Sequence, residues 1–361
     1  MKRYSILLAA SLLALLWVHP ATGQVRTERF DISAMADNTV TYILPETALY
    51  AVFGVEERHE EPGEFALYAM RYLGVKDAVM KEKHTFVLRD ITAGTYGVPS
   101  DTLKFSTRFS RRNTGTNVTL SPDGILLGIN ASTVILPALP ESKISKLPAD
   151  GAFEALTGMP REYVQATTVA KKAQIAADEI FRLRDSRTAV ISGQSEQPFV
   201  DGEAMKVAVS GLDKAERALT ERFTGSVRTA EQTFVLSGIP LARGEEIIAR
   251  FSEQYGLLDK GDLRGSPVYL TVKVTEQSPV LDEKDRRKKE RQLSRGIVYT
   301  MPGRVSVEIS YEGKVLFRSD YPAAQYGHQE ALEEVLFTDR DKMTEIIFDP
   351  ATGGILKVGT L

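Results

Sequence analysis

Outside residues 1–23, the side chains best suited to acid–base chemistry are three histidines, His59, His84 and His328. Histidine titrates near neutral pH and is the commonest metal ligand in proteins. None of the three has a second histidine or a cysteine at ligand spacing, and no His-Glu-x-x-His motif occurs. The pattern favours surface or hydrogen-bonded roles for His84 and His328 over a role as general base. We predict no zinc site, and we assign no catalytic, cofactor-binding or metal-ligating residue.

One serine lies in a sequence that begins like the nucleophile elbow Gly-x-Ser-x-Gly, namely Gly193-Gln194-Ser195-Glu196-Gln197. Gln197 stands where that motif has its second glycine, and the segment follows a predicted helix rather than a strand. We interpret it as a loop between two helices. The chain also has no phosphate-binding Gly-Lys-Ser/Thr loop and no dinucleotide fingerprint after a strand, so we predict no cofactor.

Acidic residues leave one catalytic alternative open. Glycosidases take two carboxylates from strands that are far apart in sequence, and this chain has 48 Asp and Glu residues. Their abundance does not select a pair.

The strongest charge run covers residues 282–295, Asp-Glu-Lys-Asp-Arg-Arg-Lys-Lys-Glu-Arg-Gln-Leu-Ser-Arg. It has mixed sign and a net positive charge, and it lies between two predicted strands. One interpretation is a solvated connector. The other is a docking arm for an acidic partner or for the phosphates of lipopolysaccharide.

The first 23 residues predict export. Lys2 and Arg3 precede an apolar run over residues 6–18, and small residues follow up to Gly23. This is the pattern of a secretory signal, with cleavage near Gly23-Gln24. The apolar run is shorter than the roughly 18 residues of a spanning helix, and no later segment approaches that length. We therefore expect an exported protein, periplasmic or associated with the outer membrane, without a transmembrane segment after cleavage.

Composition excludes two classes of exported protein. The chain has no cysteine, so a small fold held by disulfides and a lipid-modified amino-terminal cysteine are both excluded.

Its formal net charge is −3, which argues against nucleic-acid binding.

Alternating apolar residues predict strands at both ends of the chain. We expect two strands meeting at Pro45 within residues 39–56, and strands at 84–91 and 103–109 separated by a glycine-rich loop at 93–99. Hairpins are predicted at residues 117–130, 305–317 and 344–358, where turn residues separate alternating segments.

Helical periodicity dominates the middle of the chain. Residues 166–184 and 205–219 place apolar side chains at steps of three and four, with Asp201 as N-cap of the second run. Their narrow, alanine-rich stripes predict an antiparallel pair. Shorter helices are predicted at residues 64–73, 245–255 and 330–336.

These elements predict an α+β fold with two β-rich domains flanking a long antiparallel helical hairpin. The predicted limits are residues 1–23 for the signal peptide, 24–158 for the amino-terminal β-rich domain, 159–224 for the helical hairpin and 225–361 for the carboxy-terminal β-rich domain.

Four segments, at residues 42–49, 66–74, 180–184 and 201–205, resemble a family of exported Bacteroidota proteins that has no assigned function. The resemblance covers most of the chain. It implies a cell envelope setting and an uncharacterised status, and it implies no reaction or ligand.

The functional prediction is a non-enzymatic exported protein of the cell envelope that binds a protein partner or an envelope component, such as a glycan. An alternative is a periplasmic hydrolase that acts on glycans or peptidoglycan through an Asp/Glu pair. A third interpretation is an assembly factor for outer-membrane machinery.

Overall fold

The computed structural model describes residues 26–29, 39–109, 117–131, 134, 136–148, 159–194, 202–333, 336 and 344–360. The signal peptide predicted at residues 1–23, Ser195 and the predicted N-cap Asp201 lie outside the described residues. Strand accounts for 51% of the described residues, in three antiparallel sheets.

The first sheet is built on two long strands. β2 (Thr39–Glu61) pairs with β3 (Lys83–Arg108) over most of their lengths. The other members are β1 (Arg26–Arg29), β6 (Lys143–Ile144) and β7 (Ser226–Pro240). The order in the sheet is β1-β3-β2-β7-β6.

Both long strands run through residues that we predicted to interrupt them. The predicted turn at Pro45 and the predicted loop at residues 93–99 are wrong, because β2 and β3 are continuous there. Pro45 lies opposite Pro99, next to a shift in register between Ile43 and Pro45. A proline has no N–H to donate, and an irregularity in the ladder accommodates that loss.

The second sheet contains strands from the later part of the chain: β8 (Gly244–Ser252), β9 (Gly256–Leu258), β10 (Ser266–Glu276), β11 (Gly296–Tyr311) and β12 (Lys314–Glu333). Its order is β12-β11-β10-β8-β9. The hairpin predicted at residues 305–317 is confirmed. The helix predicted at residues 245–255 is wrong, since β8 covers most of that segment. Of the helix predicted at residues 330–336, residues 330–333 belong to β12 instead, residues 334 and 335 lie outside the described residues, and residue 336 is helical. In β8, Ala249 and Phe251 are both buried at a spacing of two residues, which is the period of a strand.

The third sheet is made of two hairpins. They are β4 (Val118–Leu120) with β5 (Leu126–Ile129), and β13 (Thr344–Phe348) with β14 (Ile355–Thr360). These confirm the hairpins predicted at residues 117–130 and 344–358. β5 pairs with β13, so the order is β14-β13-β5-β4.

The α-helices of the described residues lie beside this β-structure: α1 (Ala69–Leu73), α2 (Arg161–Gln165), α3 (Val169–Ile191), α4 (Gly202–Thr224) and α5 (Glu283–Leu293). α3 and α4 pack on each other and, around Phe65 and Phe223, on the segment that follows β2. In the described part of the chain, no helix is both long and apolar enough to cross a membrane.

The predicted fold class is therefore wrong. The protein is mostly β rather than α+β, and the first and third sheets each combine strands from before and after α3 and α4. Two β-rich domains flanking a long antiparallel helical hairpin do not describe this topology. Local periodicity identified the helices, but it carried no information on which distant strands pair. The residue limits of the domains stay predictions.

Three buried clusters hold these elements together. The largest lies between the first two sheets and includes Phe53 of β2 and Phe251 of β8. A second forms where all three sheets meet, around Tyr42, Val298 and Phe348. The third joins α2, α3 and α4 to the segment around α1.

The turn between β13 and β14, residues 349–354, packs against both of the first two sheets. The Thr47 hydroxyl donates to the Ala351 carbonyl at 2.9 Å, and the Ala324 N–H donates to the same Thr47 hydroxyl at 2.9 Å. Gly97 of β3 faces this turn without a side chain. A Cβ there would lie 2.0 Å from the Pro350 carbonyl oxygen.

We predict that Gly97→Ala lowers the free energy of unfolding by about 1–3 kcal/mol, because the turn must move to admit the methyl group. Gly211→Ala is the matched control. A Cβ at Gly211 in α4 has nothing within 4 Å, so this change should raise stability by about 1 kcal/mol through helix propensity. Urea unfolding followed by circular dichroism measures both. Equal stability of the two variants would contradict the close approach at Gly97.

Candidate binding site

The first sheet brings two of the predicted candidates together. His59 and His84 are cross-strand partners on β2 and β3, with ring centroids 5.4 Å apart. Nε2 of His59 lies 3.3 Å from the Glu82 carboxylate, and Nε2 of His84 lies 2.8 Å from the Glu57 carboxylate. Among the described residues, no three His, Cys, Asp or Glu side chains are grouped to hold a metal ion. The arrangement is a polar network that links neighbouring strands.

His328 lies in a second hydrogen-bonded chain. Its Nδ1 is 2.7 Å from the Ser278 hydroxyl and its Nε2 is 3.1 Å from the Glu330 carboxylate. Glu330 also forms an ion pair with Lys289 of α5. These contacts fasten the connector before α5, and α5 itself, to β12. Sequence reasoning did not single out Ser278 or Glu330, although residues 328 and 330 of a strand must share one face.

The charge run at residues 282–295 forms a capped helix rather than an irregular connector. The Asp282 side chain accepts a hydrogen bond from the Asp285 N–H at 2.7 Å, which satisfies one of the free donors at the start of α5. Near the other end, Leu293 packs against the core where the three sheets meet. The cap, this apolar contact and the Lys289–Glu330 ion pair give α5 a fixed orientation on the protein body.

The outward side of α5 carries a row of cations. Lys284, Lys288 and Arg291 are spaced at four and three residues, and Arg295 follows just after the helix. At about 100° per residue, the first three fall within about 60° of arc on the side opposite Leu293. We call these four residues the cationic stripe.

Within the described residues, no ion pair neutralises the charges of the cationic stripe. All four side chains are exposed, and in the described part of the chain none of them has an ion-pair partner. Glu283 instead pairs with Arg286 and Arg287 on the flank of the helix. The stripe is therefore a local concentration of positive charge on a chain whose formal net charge is −3.

A cleft of about 320 Å³ lies under the inner side of α5, bordered by β1, β3, β11 and β12. Phe105, Leu293 and Val298 give it an apolar floor, while Arg29 and Glu290 stand among the polar residues of its lining. The combination of an apolar floor and a few polar groups is typical of a ligand-binding cleft.

The floor of this cleft is held rigidly. The Val298 N–H donates to the Tyr42 hydroxyl at 2.8 Å, and burial raises the pKa of Tyr42 well above its ordinary value. Tyr42 therefore stays neutral and keeps this contact between β2 and β11. A second depression, of about 470 Å³, lies on α4 but is lined by that helix alone. Of these two depressions, the cleft under α5 brings several elements together.

A protein-family model described as a domain of unknown function, DUF4831, matches residues 38–356. The chain belongs to the DUF4831 family. No match was found among curated proteins or among solved structures. The DUF4831 match agrees with the predicted resemblance to a family that has no assigned function.

The DUF4831 match runs from just before β2 into the start of β14. α5, the cationic stripe and every border of the cleft except β1 lie inside it. The candidate site is thus part of the DUF4831 region.

Proposed function

We propose that this DUF4831 protein is a non-enzymatic exported protein of the cell envelope that binds an anionic protein partner or envelope component through α5. The cationic stripe is the observation that carries the proposal. Cations aligned without an intervening acid create a positive field that steers and orients an anionic partner. Because α5 is held on β12 in a fixed orientation, these charges point in one direction.

Export and location belong to the same proposal. The charged, apolar and small segments within residues 1–23 support secretion and a periplasmic or outer-membrane-associated location. Envelope components such as phosphorylated glycolipids, acidic glycans and acidic proteins carry the charge that the stripe would attract.

The alternative hydrolase requires two carboxylates facing each other across a cleft. Among the described residues that line the cleft under α5, Glu290 is the acidic one, and Arg29 is the basic one. This lining offers one carboxylate and an apolar floor. It supports binding better than a two-carboxylate hydrolysis.

Site-specific photo-crosslinking in cells tests the proposal. A photo-reactive amino acid at position 288 should give a crosslinked product, whereas the same amino acid at position 214, an exposed lysine site on α4, should not. Adding Lys284→Glu and Arg291→Glu to the position-288 variant should abolish the product. A product of equal yield from both positions, or one that survives these reversals, would show that α5 is not the binding surface.

A further inference from the structure

Two apolar residues stand fully or partly in water at the start of α5. Val280 is 94% exposed and Leu281 is 44% exposed. They immediately precede the N-cap Asp282, so they lie at one end of the cationic stripe. Most of the Val280 surface therefore has no protein contact in the described structure. Exposed apolar surface beside aligned cations suits a partner that is both apolar and anionic.

We infer that α5 docks on the surface of an anionic lipid layer, with the cationic stripe on the headgroup phosphates and Val280 and Leu281 inserted at the boundary with the acyl chains. This inference rests on the proposed function, because it takes the outward face of α5 as the binding surface. It adds the class of partner and a contact that the charges alone do not explain.

The shape of the stripe fits a planar partner. Lys284 to Arg291 span about 10 Å along the helix axis at 1.5 Å per residue. Lys284, Lys288 and Arg291 lie along one face of α5 opposite Leu293, so a flat layer can contact these three at once, and Arg295 is exposed just beyond the helix. Each Lys or Arg held near an anionic membrane surface strengthens binding several-fold.

The apolar pair distinguishes a lipid layer from a soluble anion. Free phosphate or an acidic peptide would satisfy the cations and leave Val280 in water. A helix with Lys and Arg on its polar side and apolar residues at the interface is typical of peripheral membrane binding. α5 departs from the usual amphipathic helix, because its inner side is committed to the protein core through Leu293. The apolar contact is therefore supplied by the two residues before the helix.

Co-sedimentation with lipid vesicles tests this inference, using the protein that lacks only residues 1–23. The protein should bind vesicles that contain phosphatidylglycerol, and it should not bind vesicles of phosphatidylcholine alone. Lys284→Glu/Lys288→Glu should weaken binding by at least about tenfold. The matched control is Lys206→Glu/Lys214→Glu, which makes the same charge change on exposed positions of α4 and should leave binding near the wild-type level. Val280→Ser/Leu281→Ser should also weaken binding, and this loss should persist at low salt.

The outcomes separate the inference from the proposed function. If anionic vesicles are not bound, or if the α4 control loses as much binding as the α5 variant, the lipid inference is overturned. If position 288 nevertheless crosslinks to a protein in cells in a stripe-dependent way, the proposed function stands with an acidic protein as the partner. If both the vesicle binding and the crosslink are absent, both proposals fail.

Discussion

Leu219→Asp should lower the free energy of unfolding by about 4 kcal/mol or more. Leu219 of α4 is 3% exposed and packs in a cluster with Phe65, Ile180 and Phe223. The substitution removes apolar contacts and places a carboxyl group where no water can reach it. Loss of a buried leucine costs about 2–5 kcal/mol, and an unpartnered polar group adds to that cost. Thermal and urea unfolding, both followed by circular dichroism, measure the change.

Val207→Asp on the same helix is the control. Val207 is 71% exposed, so the same carboxylate stays in water and stability should change by no more than about 0.5 kcal/mol. If the two variants unfold alike, the packing of α4 described here is wrong.

Phe348→Ala should cost about 3–5 kcal/mol. Phe348 of β13 is fully buried where the three sheets meet, in one cluster with Tyr42 of β2 and Val298 of β11. Its ring centroid lies 6.4 Å from that of Tyr299. Because this ring contacts a core shared by three sheets, we expect the variant to unfold in one transition at a lower urea concentration.

Phe181→Ala is the matched control for Phe348→Ala, since Phe181 of α3 is 45% exposed. It should cost less than about 1 kcal/mol, partly through the lost contact with the Arg184 guanidinium, which lies 5.5 Å from the ring. Two separate transitions in Phe348→Ala would show that the third sheet unfolds independently and that its core is not shared.

Local signals in the sequence were enough to predict the short hairpins. Ser121-Pro122-Asp123-Gly124 sits between alternating apolar residues, and the turn at Glu312 and Gly313 adopts the positive φ angles of a tight hairpin. In each case the turn residues and the alternating residues next to them lie within about 15 residues. The information needed for these elements is local.

The long strands and their pairing depend on residues that are far apart in the sequence. Pro45 and Pro99 predict breaks when each is read alone, and only their opposition across β2 and β3 shows how both are accommodated. In β8, the sequence around Glu245 and Glu246 has helix-forming residues, but burial of Ala249 and Phe251 against the facing sheet selects a strand. Tertiary packing overrode local preference there.

The candidate site likewise has one part that the sequence could have predicted and one part that it could not. The cationic stripe follows from spacings of four and three residues within residues 282–295, and a helical reading of that segment would have found it. The cleft under α5 could not be predicted, because it joins Phe105 of β3 to Leu293 and Val298, which come much later in the chain. The Ser278–His328 contact likewise joins residues that only the fold brings together.

The pairing of β5 with β13 has a consequence for biosynthesis. More than two hundred residues separate β5 from its partner strand, so β5 is made long before β13. The core that joins the three sheets cannot form until Phe348 has been synthesised, so the growing chain exposes apolar strands for most of its synthesis. Pairing between such distant segments also folds slowly. The nascent protein should therefore depend on chaperones to prevent aggregation.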